Sequence, residues 1–328
     1  MSSRIGIMFD LARASAVVRT PTLSIYMNGI LIIDKPAAMT SHDVVNRVRR
    51  ILGQKSIGHL GTLDPMATGV LPLVAGNLTR LAQFYTGKDK AYEGEIRFGF
   101  ATDTYDAEGE ATTAAREVVL SLERVREIAA NFCGTIEQMP PPFSAKKING
   151  VPAYKLARKK ADVTLTAVQI EVTLLEIDAV FGDRAVFRAE VSSGTYLRSI
   201  AHDMGKEMDC GAHLAALRRT RVGDFTLEDA HTLDELEAAS RRGEAHDLFI
   251  HCRKLLPEIP SVTATEEVAT RIRNGMAVNL PEFSRSRQVK VFLGQNDLIA
   301  IATRVAGTLF HASIVLAPES GPVALAGK

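Results

Sequence analysis

Residues 58–71 read Gly-His-Leu-Gly-Thr-Leu-Asp-Pro-Met-Ala-Thr-Gly-Val-Leu, and their single carboxylate, Asp64, stands between apolar Leu63 and rigid Pro65. Gly58, Gly61 and Gly69 permit tight or left-handed backbone and close approach of a ligand, while Pro65 biases Asp64 toward an extended or turn conformation. The stretch reads as an ordered loop that aims one carboxylate. Asp-Pro and glycine are also ordinary surface-turn residues, so the segments on either side decide between a turn and a site.

Before the loop, Ile30–Ile33 is an apolar run that ends in Asp34-Lys35-Pro36, a buried strand entering a turn. Thr40-Ser-His-Asp43 is a capping box ahead of Val44, Val45, Val48, Ile51 and Leu52, and Gly53 supplies the stop. After the loop, Val70–Val74 is apolar and Tyr92–Phe100 reads as a strand. Ser121–Phe132 has helical spacing, residues 168–174 and 185–191 alternate as half-buried antiparallel strands, and the chain re-enters a helix at Leu197. Thr232 and Glu235 cap a polar helix that reaches Arg242. Beyond Pro257 and Pro260 come a short helix over 266–273 and strands near 289–293, 298–304 and 308–316, a small β-rich unit.

With 46% hydrophobic and 23% charged residues the 328-residue chain is globular in composition, and its net charge of +1 excludes a uniformly basic nucleic-acid coat. Nucleic-acid binding would have to use local patches. Two present themselves: Phe143–Lys160, with Lys146, Lys147, Lys155, Arg158, Lys159 and Lys160 and no acid, and Arg218, Arg219 and Arg221. Cys133, Cys210 and Cys252 are too dispersed for a disulfide framework or thiolate zinc site, which fits a reducing cytoplasm. No apolar run is long enough to span a bilayer. The acidic stretch 102–109 matches no metal-loop spacing, and the His246, Asp247, His251, Cys252 group lacks a second ligand set. Residues 1–26 carry no ordered pattern and read as an extension ahead of a natural start at Met27.

The stretch 58–71 resembles the catalytic motif of the bacterial TruB family, the tRNA pseudouridine-55 synthases. Asp34-Lys35-Pro36, Lys90-Ala-Tyr92, Thr102–Gly109, Pro142–Tyr154, Ser193–Arg198 and Cys210–Arg219 resemble family segments in family order, so the likeness covers about residues 29–230. Leu60 and the N-terminal extension depart from the pattern. The resemblance implies an α+β fold with a mixed, largely antiparallel sheet and flanking helices. It further implies a catalytic domain over 27–255 with an RNA-binding insertion at 143–167, and a PUA-like RNA-binding domain over 256–328.

The same resemblance implies the chemistry: conversion of uridine to pseudouridine in the T-arm of tRNA, on a flipped nucleotide. It makes Asp64 the carboxylate that acts at the ribose, by attack on C1′ or removal of the C2′ proton, with Arg198 as the cation that keeps it charged. Tyr92 is the stacking ring and helps remove the C5 proton, Tyr196 and Leu217 are pocket walls, His59 fills the space left by the base, and Lys35 is a further pocket residue. Lys146, Lys147, Lys159 and Lys160, with Arg218–Arg221, are the expected phosphate contacts. No metal or organic cofactor is required for a redox-neutral isomerisation, and the expected partner is tRNA, met by a monomer with no obligate protein partner. Two other readings compete: a non-catalytic RNA-binding or RNA-folding module, and a magnesium-dependent phosphohydrolase using Asp64, Asp103 and Asp106.

Overall fold

A computed structural model describes residues 27–144 and 166–316, together with the backbone of 147–148 and 151–152. Residues 1–26, Lys146, Lys159 and Lys160 lie outside the described residues, as does the side chain of Lys147.

The expected α+β architecture is present. β1 (Gly29–Lys35) leads to α1 (Ser41–Leu52), whose start is closed by reciprocal Thr40 and Asp43 hydrogen bonds and whose end is closed by Gly53 in the left-handed region. β2 (Ile57–His59) and β3 (Thr68–Ala75) flank the Asp64 loop. There follow β4 (Lys90–Phe98), α2 (Leu122–Ala130), β5 (Gly134–Gln138) and the long hairpin of β6 (Val168–Phe181) and β7 (Arg184–Val191). α3 (Leu197–Glu207), β8 (Ala212–Val222) and α4 (Leu233–Arg242) complete the larger unit.

Its sheet runs β1-β3-β8-β4-β7-β6-β5, antiparallel except for the β3–β8 contact and a short strand at Ala230–His231 beside β1. The strand β8 corrects the sequence reading in one respect: Arg218, Arg219 and Arg221 do not form an exposed basic patch. They belong to a central strand, where Arg218 is paired with Asp34 at 2.7 Å, Arg221 with Glu190 at 3.1 Å, and Arg219 is inside the protein.

Alternation along the strands gives the sheet two apolar faces. Leu31, Ile33, Leu71, Leu73, Ile96 and Phe98 face α1, α2 and α3, whose Val44, Val48, Ile128, Ile200 and Met204 complete that core. Ile30, Ile32, Val70 and Val74 face the other way and pack with Leu298, Ile301, Ile314 and Leu316 of the C-terminal unit.

That unit is a five-stranded sheet made of residues 261–264, 278–279, 288–293, 297–306 and 309–315, with a helix over Glu266–Arg273. Buried Lys290 holds it to the connecting segment by donating to the carbonyls of Leu255 (2.6 Å) and Arg253 (3.2 Å). Among the described residues no helix is long and apolar enough to cross a membrane.

Candidate active site

The Asp64 loop spans the gap between β2 and β3 and is fastened residue by residue. Buried Ser41, at the start of α1, donates its hydroxyl to the Leu63 carbonyl (3.1 Å) and accepts the Leu63 amide (2.8 Å). On the other side of Asp64, the Pro65 carbonyl accepts from Lys35 Nζ (3.1 Å) and the Ala38 amide (2.9 Å). Lys35 is completely buried at the end of β1 and also donates to the Pro36 carbonyl at 2.8 Å. Burial pulls its ammonium down to about 8, with Glu108 and Asp64 opposing that pull. Lys35 therefore holds the backbone of the Asp64 loop and does not line the cavity that Asp64 lines.

The loop is closed at its far end by Gly69, whose φ of +98° suits glycine and whose absent side chain lets β3 lie against β8. A Cβ there would stand 2.2 Å from the Arg219 carbonyl oxygen.

Arg198 arrives from the first turn of α3 and is 5% exposed. Its Nε lies 3.0 Å from Asp64 Oδ2, an ion-pair contact without hydrogen-bond alignment, and its Nη2 is 3.4 Å from Asp64 Oδ1. Three further acceptors fix the guanidinium: the Phe143 carbonyl (2.9 Å), the Thr104 carbonyl (3.1 Å) and Asp106 Oδ2 (3.1 Å). Burial pushes the Asp64 carboxyl above the ordinary aspartate value, Arg198 pulls it back down, and Asp106 pushes it up again. The arginine thus has two tasks, to keep a desolvated carboxylate ionised and to orient it.

Asp106, which the sequence reading places in an acidic loop and in the competing phosphohydrolase set, is instead the second carboxylate on Arg198. It is 3% exposed, its Oδ1 accepts from the Thr104 hydroxyl (2.6 Å) and the Glu108 amide (3.1 Å), and its Oδ2 faces Arg198. Gln138 supports the arrangement from outside the cavity: its side chain accepts the Tyr196 amide (2.8 Å) and donates to the Tyr196 carbonyl (3.0 Å), so it fixes the start of α3. Ser199 adds a hydroxyl bond to the Met139 carbonyl at 2.8 Å. Residues 138–143, which lead into the lysine-rich insertion, are in this way tied to the helix that carries Arg198.

Asp64, Tyr92, Tyr196, Arg198 and Leu217 line one cavity of about 260 Å³, together with Lys90, Arg219 and residues of the Gly61–Leu63 and Ser193–Thr195 loops. Tyr92 stands on β4, buried to 8% exposure, and Tyr196 is half-buried, its phenol raised by burial. His59 stands apart on β2; burial and Arg219 both lower its imidazole, which favours the neutral ring. Among the described residues no group of three His, Cys, Asp or Glu side chains is placed to hold a metal.

A mixed sheet with flanking helices thus carries one cavity that Asp64, held by the same arginine as Asp106, shares with Tyr92. The architecture is shared with the crystal structure of a Cbf5-Nop10-Gar1 complex at a TM-score of 0.65 and 23% identity, covering 88% of this chain and 85% of that one. A structure of an H/ACA RNP bound to a substrate RNA containing 2′-deoxyuridine gives the same TM-score over 89% of this chain and 86% of that one.

The sequence narrows the class: residues 49–197 match the model of the TruB family pseudouridylate synthase N-terminal domain, and residues 198–257 that of the tRNA pseudouridylate synthase B C-terminal domain. The chain is 47% identical over 293 residues to tRNA pseudouridine synthase B of Solibacter usitatus, covering 88% of this chain and all of that protein. It is 42% identical over 257 residues to the protein of the same name from Bacillus cereus, covering 76% of this chain and 84% of that one. The chain belongs to the TruB family of pseudouridylate synthases.

Proposed function

We infer that the protein isomerises a uridine of the tRNA T-arm, at position 55, to pseudouridine. The observation that carries this reading is the Asp64–Arg198 ion pair opening into the cavity walled by Tyr92, Tyr196 and Leu217. A protein that only bound RNA would have no use for a half-buried carboxylate in its ligand cleft, where it repels phosphate. Held ionised, Asp64 is suited either to attack C1′ or to take the C2′ proton of a nucleotide flipped out of its stack. Tyr92 supplies the ring against which uracil stacks while the glycosidic bond is broken, and Leu217 bounds the cavity beside it.

Unstacking the nucleotide costs a few kcal/mol, and phosphate contacts offset that cost. In this reading the insertion over 143–167, through Lys146, Lys147, Lys159 and Lys160, grips the T-arm, and residues 256–328 act as a PUA-like second RNA contact. His59 occupies the space vacated by the flipped base and transfers no proton. The enzyme works as a monomer in the cytoplasm.

The test is incubation with an unmodified tRNA transcript, followed by chemical mapping of pseudouridine. Product at the T-arm uridine that vanishes in Asp64→Asn, with tRNA affinity retained, is expected. Binding without product in the intact protein would return the chain to an RNA-binding or RNA-folding module.

A further inference from the structure

Two cations at the floor of the cavity have no role in the scheme above. Arg219 is 1% exposed; its Nε donates to the Val70 carbonyl (2.8 Å), Nη1 to Thr62 (3.2 Å) and Nη2 to Gly61 (3.1 Å). Lys90 is 7% exposed and donates to the Lys88 carbonyl. Burial brings the Lys90 ammonium down to about 8, and the Arg219 charge beside it adds to the effect. The backbone acceptors around them are carbonyl oxygens, and none of the ion pairs formed among the described residues includes either cation.

Burying two like charges side by side is unfavourable, and the Asp64 carboxylate in the same cavity, which acts on Arg219 but forms no ion pair with either cation, leaves room for a second anion to meet them. Both line the cavity that holds Asp64. Register also places Arg219 directly opposite Tyr92 across the β4–β8 ladder, so the phenol lies within reach of the guanidinium.

We propose that Lys90 and Arg219 form the binding site for the uracil anion that exists between cleavage and rejoining. The inference rests on the isomerase reading. When the N1–C1′ bond breaks, its electron pair goes to the uracil ring and is shared by N1, O2 and O4, while Asp64 satisfies the ribose by bonding to C1′ or by taking the C2′ proton. The ring rotates, C5 bonds to C1′ as Asp64 is released or returns its proton, the C5 proton leaves, and N1 is protonated, so the sum is an isomerisation. Throughout the rotation the free base carries a full negative charge and no covalent tether. Fixed positive charge beneath it stabilises that charge and keeps the base in the cavity, the same logic as an oxyanion hole.

The experiment compares uridine with 5-fluorouridine in otherwise identical tRNA transcripts, because fluorine withdraws electron density from the ring and makes the anion a better leaving group without help from the protein. Single-turnover loss of the target nucleoside is measured for the wild type, Lys90→Met, Lys90→Arg and Arg219→Lys. Removing one donor to a developing anion costs about 100-fold in rate, so Lys90→Met should show that loss with uridine and a loss of less than about tenfold with 5-fluorouridine. Lys90→Arg should recover most of the uridine rate. Arg219→Lys keeps the charge but gives up the fork that holds three carbonyls; it should melt earlier while keeping a ratio between the two substrates near that of the wild type.

An equal loss on both substrates in Lys90→Met, or no loss on either, would overturn the proposal, since a role in folding or phosphate binding does not depend on how stable the departing base is. A wild type that binds tRNA but makes no pseudouridine is a separate outcome, which removes the isomerase reading itself.

Discussion

Asp106→Asn changes one atom of the site and separates its charge from its shape. The carbonyl oxygen of the substituted side chain would keep the bonds that Oδ1 now accepts from the Thr104 hydroxyl at 2.6 Å and the Glu108 amide at 3.1 Å. The amide nitrogen would instead turn its hydrogens toward Arg198 Nη1, which now sits 3.1 Å from Oδ2. Two unit charges about 4 Å apart attract by about 4 kcal/mol at an effective dielectric of about 20, and removing one partner of a buried pair costs about 3–5 kcal/mol in measured cases. The two figures agree. Arg198 retains the carbonyls of Thr104 and Phe143 and the carboxylate of Asp64, so the guanidinium tilts toward Asp64 without leaving.

The electrostatic effect on Asp64 has the opposite sign from the geometric one. Asp106 raises the Asp64 carboxyl, so neutralising it favours the ionised carboxylate. Any loss of rate must then come from misalignment, for which about 100-fold in kcat is the scale of a displacement near 1 Å. The expected result is kcat down about 100-fold, tRNA affinity within about threefold, and a melting temperature lower by roughly 5–10 °C. Single-turnover pseudouridine formation, filter binding and thermal melting measure the three. A wild-type kcat in a protein that melts early would refute the reasoning, because it would mean that Arg198 needs no second carboxylate to orient Asp64.

Four further outcomes follow from particular contacts. Because burial raises the folded-state value of Asp64, the unfolded chain binds fewer protons than the folded one between the ordinary aspartate value and the raised one, and stability falls as pH rises through that window. Asp64→Asn should therefore abolish turnover yet melt higher than the wild type at neutral pH, and an earlier melt would contradict this; the acid limb of kcat should likewise sit above the ordinary aspartate range. For Lys35 the folded value is about 8 against 10.5 unfolded, so between these the unfolded chain holds more protons and stability rises with pH; denaturant titrations of wild type and Lys35→Met across pH 8–10.5 should diverge accordingly. Gly69→Ala should cost about 3 kcal/mol, since it combines positive φ with a clash against the Arg219 carbonyl, and a loss below about 1 kcal/mol would show that β3 and β8 yield easily. Replacing Lys146, Lys147, Lys159 and Lys160 by alanine should flatten the slope of log K against log salt by about 0.9 for each phosphate no longer neutralised, and an unchanged slope would make the run a solvated face.

What can be read from the sequence, and what cannot, divides along the range of the forces involved. Elements fixed by local chemistry are legible: the capping boxes at Thr40 and Thr232 open helices in the structure, and Gly53 and Gly243 end them. The C-terminal strands emerge within a residue or two of their apolar runs. The Asp64–Arg198 pair spans 134 positions and is accessible only through the family resemblance. The Asp106–Arg198 contact escapes because the acidic stretch invites a test of metal-loop spacing, which does not register one buried carboxylate facing an arginine 92 positions away. The triple arginine in 218–221 misleads for a related reason. Charge runs look solvated in a sequence, whereas strand alternation sends Arg219 inward and leaves Arg218 and Arg221 beside Asp34 and Glu190.

Around Asp64 the protein places one guanidinium in direct contact, a second carboxylate behind it, and buried Lys35 under the neighbouring carbonyl. A carboxylate neutralised fully by Arg198 alone would be a weak nucleophile or base. Asp106 shares the arginine, and burial first and then Asp106 raise the Asp64 carboxyl above the ordinary aspartate value. Asp106→Asn removes that push and the alignment together, and because the first change favours the ionised carboxylate, a lost rate in this variant reports the alignment.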